Sequence, residues 1–187
     1  MRHFEIGGLL ACALVLLSTT SAQAQEMTPA QEGVLPPGHQ LTLYGRAGGM
    51  LYLSDALTTG GFGGGVGVRD TLRDRFILQA DLSFLMGIGN VGALRLGAGV
   101  QRSGTWTPAV LATLSVVMGD RLTFLTPAHP TPLRGPAVSL GVSVAPLRFT
   151  QKGMQLSLLE LGVGAGSDLP GTGLAWHLGL LEVGTHF

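Results

Sequence analysis

Arg46, Asp81, Arg95, Glu160 and Glu182 are five charges set inside stretches that are otherwise apolar, small or glycine-rich. Two bases and three acids suit ion pairing in a shielded interior. They do not make a catalytic set, because no nucleophile–base pair can be named beside them. Four histidines follow residue 24: His39, His129, His177 and His186. None stands at metal-ligand spacing from a Cys, Asp or Glu, so neither a metal nor a cofactor is expected. The stretch TGGFGGGVGVRD, residues 59–70, has the glycine density of a phosphate-cradling loop. A Walker-type loop needs G-x-x-x-x-G-K followed by Ser or Thr, yet no lysine is near, and a complete G-x-G-x-x-G is missing too. Taken as a strand, the stretch puts Gly61, Gly63, Gly65 and Gly67 on one face and Phe62, Gly64, Val66 and Val68 on the other. Positions without side chains, facing the inside of a narrow barrel, leave room for bulky neighbours.

Composition limits what can carry such a strand. The 187 residues are 45% hydrophobic and 12% charged, with a mean hydropathy of +0.40. Soluble domains carry roughly a quarter charged residues, so part of this surface is not meant for water. Eleven basic residues balance eleven acidic ones, and Lys152 is the only lysine. With no basic stripe to neutralise phosphates, nucleic acid is excluded as a partner. The first 24 residues read as a signal peptide, with Arg2 and His3, an apolar core from Leu9 to Leu17, and Ala22-Gln23-Ala24 before the cleavage point. That core is too short to span a bilayer, and Cys12 within it reads as apolar filler. Residues 25–39, polar and proline-bearing, read as a flexible periplasmic leader. No later stretch offers about 20 uninterrupted apolar residues. Export combined with high hydropathy and no apolar helix points to a closed β-barrel in an outer membrane.

From residue 40 to 187 the chain divides into segments of strand length. They are Leu41–Leu53, Gly60–Arg69, Arg75–Leu85, Val91–Gln101, Thr105–Val117, Pro136–Ala145, Gly153–Ala165 and Gly173–Phe187, with SDALTT, DTLRD, GIGN, RSG, RFTQK and SDLPGT among the turn clusters between them. The expected architecture is all-β: an eight-stranded antiparallel up-and-down transmembrane barrel. A tenfold arrangement stays open, because GDRLTFL could begin a further strand. Period-two alternation supports outward apolar faces, as with Phe76, Leu78, Ala80, Leu82 and Phe84 against Ile77, Gln79, Asp81 and Ser83. The last two strands alternate less cleanly, with Leu156, Leu158, Leu178 and Leu180 on the face expected to be internal. Counting residues from the strand ends sets the five charges near one level, all inside. Arg46–Glu182 and Asp81–Arg95 are the expected pairs, with one carboxylate left over.

The pattern resembles the small outer-membrane barrels typified by the OmpA-like and OmpX-like transmembrane domains, over Leu41 to Phe187. Its most specific element is the ending LLEVGTHF. In that class the last strand finishes on an aromatic recognised by the barrel-assembly machinery. The resemblance implies that role for Phe187, with Val183 and Leu181 as the alternating apolar residues before it; Thr185 departs from the pattern. An outer-membrane lipid A deacylase would share the size and the final Phe, but its His-x-Ser pair is missing here. The connection from Gly119 to Gly135 is the longest, and Arg121, His129 and Arg134 make it a candidate contact for lipopolysaccharide or a partner protein. The function expected is that of a non-enzymatic envelope structural or interaction component with a polar, side-chain-filled lumen. Its partners would be outer-membrane lipid and lipopolysaccharide, the assembly machinery and other envelope proteins. An enzyme acting on lipid acyl chains, or a small pore, are the alternatives.

Overall fold

Alternating residues need an extended backbone to sort them onto two faces, and extended backbone accounts for nearly all of the chain described. A computed structural model describes residues 38–54, 58–87, 89–121, 131–132, 136–168 and 171–187. The expected signal peptide (1–24) and most of the leader lie outside the described residues; His39, placed at the leader's end, instead opens the first strand. The strands are β1 His39–Ser54, β2 Thr58–Leu72, β3 Phe76–Gly87, β4 Asn90–Gln101, β5 Ala109–Arg121, β6 Thr131–Pro132, β7 Ala137–Ala145, β8 Leu147–Gln151, β9 Met154–Ser167 and β10 Thr172–His186. β1 to β5 pair antiparallel in sequence order, β5 pairs with β7 and β7 with β9, and β10 pairs with both β9 and β1, which closes the sheet. β7 and β8 both pair with β9 and form one barrel strand interrupted at Pro146. β6 meets only Asp120 and Arg121 at the tip of β5, so it adds nothing to the wall. The barrel therefore has eight strands, not ten.

Two boundaries differ from the sequence reading. RFTQK is mostly strand β8, and the turn after it is only Lys152-Gly153, with φ of 43° and 83°. Thr105–Pro108 precedes β5 as a loop, with Trp106 making an isolated bridge to Phe149. The β2–β3 turn, one residue longer, also bends through the left-handed region, Arg73 and Asp74 having φ of 51° and 58°. Positive φ at both central residues matches the right-handed twist of the flanking strands. These short turns lie at the end where β1 begins and β10 finishes, called here the near end.

Inside and outside then follow parity. Phe62, Val66, Val68, Phe76, Leu78, Leu82, Phe84, Leu140 and Val142 point outward and are exposed, whereas Thr42, Tyr44, Arg46, Arg69, Asp81 and Arg95 point inward and are buried. Parity breaks once, along a line crossing three adjacent strands. Pro146 separates β7 from β8, and opposite it in β9 Leu159 takes a φ of 68°. Opposite Leu159, Leu180 is the extra residue where the β1–β10 register shifts. Each extra residue flips the faces beyond it. Leu156, Leu158 and Leu180, expected inside, therefore face outward at 37–51% exposure, while Gln155, Ser157 and Glu160 all face inward. A single-strand count carries one parity from end to end and cannot see this. Leu159→Val, a β-branched residue forced into the left-handed region, should cost on the order of 1–2 kcal/mol. Leu159→Gly removes more side chain yet should be the more stable of the two in urea unfolding from detergent; the reverse order would mean the bulge carries no left-handed residue.

Toward the far end the bore is plugged. Tyr52, Leu85, Val91, Ala93, Val117, Ala137 and Ala175 form one buried apolar cluster, with Met50 packed against it.

Candidate functional site: a charged bore

The polar interior is built from strands that each contribute one or two inward positions, and it divides into two linked groups. In the first, Asp81 of β3 is the hub. Its Oδ1 accepts from Arg46 Nη1 at 3.0 Å, and its Oδ2 from Arg95 Nε at 3.1 Å and from the Tyr44 hydroxyl at 3.2 Å. Arg95 also donates to both oxygens of Glu160, Nη1 to Oε1 at 2.7 Å and Nη2 to Oε2 at 3.3 Å. Glu160 lies 3.9 Å from Arg46 Nη2 as well. His177 sits between the two guanidinium groups, its Nε2 meeting Arg46 Nη2 and its Nδ1 3.1 Å from Arg95 Nη1. A ring with one acceptor nitrogen at most, held between two cations, serves as a spacer rather than a base.

The second group centres on Arg69 of β2. Its Nη1 and Nη2 hold Glu182 at 2.7 and 2.9 Å, its Nε and Nη2 donate to Gln79 Oε1, and Nη1 donates to Gln155 Oε1. All five guanidinium hydrogens are thereby used. The Arg69 guanidinium lies 4.6 Å from the centre of the Tyr44 ring, and the Tyr44 hydroxyl reaches Asp81, which joins the two groups. One network thus ties together β1, β2, β3, β4, β9 and β10. Between opposite charges in a shielded bore such bonds are stronger than at a surface, and each left unmade is correspondingly costly.

A fourth buried arginine stands apart. Arg148 of β8 is 0% exposed, and its Nε, Nη1 and Nη2 have no hydrogen-bond partner among the described residues. Two cavities of about 20 Å³ each flank His177, each with room for one water.

The five charges named from sequence all point into the bore, and Asp81 meets Arg95. Arg46 and Glu182 are ladder partners, yet they do not pair. The Arg46 head lies over Gly179, where an added Cβ would be 3.4 Å from Nη2, and reaches across to Asp81, while Glu182 turns to Arg69. In a narrow bore inward side chains converge, so a long arginine is not confined to its ladder neighbour. The inventory also changes: with Arg69 and Arg148 the bases exceed the acids of this network, four to three. In the sequence reading Arg69 ends the strand segment Gly60–Arg69, and Arg148 falls in the turn cluster RFTQK. Arg69 shares the parity of Gly61 to Gly67, which would have revealed it; Arg148 lies beyond the break at Pro146, and no periodicity crosses that break.

Of the remaining residues, Leu181, Val183 and Phe187 face outward at 43%, 42% and 73% exposure at the near end of β10. Arg121 ends β5 opposite Thr131, whereas His129 and Arg134 lie outside the described residues.

These features define a class: a closed, eight-stranded antiparallel barrel with an apolar outer wall and an ionic bore. No family model matches the sequence, and no curated protein matches it. Among solved structures it is similar in fold to Neisserial surface protein A, with 12% identity and a TM-score of 0.55 over 79% of this chain and 97% of that one. The N-terminal β-barrel domain of Pseudomonas aeruginosa OprF matches at 14% identity and a TM-score of 0.48, over 79% of this chain and 97% of that one. Ail of Yersinia pestis matches at 10% identity and 0.46, over 80% of this chain and 99% of its own. At these identities the likeness is one of fold.

Proposed function

We propose that this protein is a non-enzymatic structural or interaction component of an outer membrane, exported with a cleaved signal peptide and set with its near end in the periplasm. The observation that carries the reading is the inside-out distribution of side chains: charges buried in the bore, and large apolar residues such as Phe62, Leu140 and Met154 exposed on the wall. Water would penalise such a wall, whereas lipid would not. The tight turns at the near end are those expected on the periplasmic side. Outer-membrane lipid and lipopolysaccharide would surround the wall, Phe187 would be read by the assembly machinery, and other envelope proteins would meet the far-end loops. The acyl-chain alternative, which leucines lining the bore would slightly favour, gains nothing from Leu156, Leu158 and Leu180, which face outward.

After carbonate washing the protein is expected to stay with the outer membrane and to change gel mobility on heating. Removing Phe187 should lower the assembled fraction without affecting export. Recovery of the intact chain as a soluble periplasmic protein would overturn the placement. The pore alternative predicts steady channels in planar bilayers; the apolar plug around Tyr52 and Val91 predicts none.

A further inference from the structure

We propose that the bore holds one small monovalent anion, of the size and charge of chloride, against Arg148. Arg148 is wholly enclosed, and none of its three guanidinium nitrogens finds an acceptor among the described residues. An arginine cannot shed its charge, so a buried guanidinium requires a counter-charge or strong acceptors. The nearby carboxylates are committed: Glu182 gives both oxygens to Arg69, and Asp81 and Glu160 are shared by Arg46 and Arg95. The remaining buried acid, Asp168, bonds Ser54 and the Gly171 amide at the far end. It follows Ser167, ten residues along β9 from Ser157, the ladder partner of Arg148, or about 33 Å of strand. It cannot neutralise Arg148.

The surroundings of Arg148 suit an anion. Ser157 is opposite it on β9, and Thr107, whose amide donates to the Arg148 carbonyl, has its hydroxyl 3.3 Å from that of Thr150. Hydroxyls can turn to donate where a carboxylate could not. The two cavities of about 20 Å³ beside His177 do not reach Arg148; the complete enclosure of Arg148 is what limits an occupant to a monatomic ion and excludes phosphate or a lipid headgroup.

The full chain would be refolded from urea into detergent with sodium chloride, sodium bromide or sodium gluconate at equal ionic strength. The wild-type unfolding midpoint should rise with each tenfold increase in chloride or bromide, but not with gluconate. Arg148→Met should abolish that dependence. Glu182→Gln, which adds to the cationic excess, should steepen it. Crystals grown from bromide should show one anomalous peak at hydrogen-bond distance from the Arg148 guanidinium. The bromide measurement needs no variant, so it decides the matter even if a substituted barrel fails to fold. An absent peak, or a chloride dependence unchanged in Arg148→Met, would overturn the proposal. Neither outcome bears on whether the protein sits in a membrane, which fractionation decides separately.

Discussion

Arg69→Leu is expected to cost the folded barrel about 3–5 kcal/mol, the largest loss of any single charge in the bore. The reason is the number of groups it would strand. Glu182 would lose both of its guanidinium contacts, Gln79 and Gln155 would lose the donors to their side-chain oxygens, and the Tyr44 ring would lose the cation lying over it. Arg69→Leu with Glu182→Leu should cost clearly less than the sum of the two single changes, because the double variant leaves no unpaired charge at that site. Arg69→Lys should not rescue, since an ammonium cannot supply five donors in a fixed plane. The parallel cycle on Arg46 and Glu182 should be close to additive. Urea unfolding in detergent measures all of these. Strong coupling between Arg46 and Glu182, with none between Arg69 and Glu182, would mean the bore is paired by ladder neighbours after all.

Gly63→Val is expected to prevent assembly, while Gly64→Val, one residue away, is expected to be tolerated. A Cβ at Gly63 would stand 2.0 Å from the Phe84 carbonyl oxygen and 3.0 Å from the Leu85 Cα, both backbone atoms of the neighbouring strand. The backbone there cannot yield without breaking the ladder, so the cost should reach or exceed about 3 kcal/mol, the upper end for overpacking. At Gly64 the nearest atom to an added Cβ is the Arg46 carbonyl oxygen at 3.4 Å, and the position faces outward. Heat-dependent gel mobility during refolding reads the folded fraction directly. Equal behaviour of the two variants would remove the inward glycine row from the account of how β2 fits its neighbours.

That pair of glycines also marks how much of the fold the sequence exposes. The inward row Gly61, Gly63, Gly65, Gly67 could be assigned by period alone, because a strand places alternate residues on opposite faces whatever it pairs with. The same rule gives an apolar outer face. Arg69 belongs to the same row and is legible on the same terms, although it closes the expected segment Gly60–Arg69. The histidine in the bore was not legible. His177 has no spacing signal of its own, and its place between Arg46 and Arg95 depends on β4 facing the adjacent strands β1 and β10 across the lumen.

The sequence by itself determined the architecture as a closed antiparallel barrel, because alternation, turn chemistry and the interruption of apolar runs are local properties of the chain; the count of eight rather than ten needed the pairings of β6, β7 and β8. Only the tertiary structure decided which charges meet. The aligned irregularities at Pro146, Leu159 and Leu180 reverse the faces of three neighbouring strands at one level, turning Leu156 and Leu158 out and Arg148 in. Closure then brings together side chains from strands that are not neighbours, so that Arg46 reaches Asp81, and Glu182 goes to Arg69. Both effects depend on how strands are stacked around the barrel. A chain read one strand at a time carries the residues and their parity, but not the level at which a bulge resets it, nor the partner waiting across the bore.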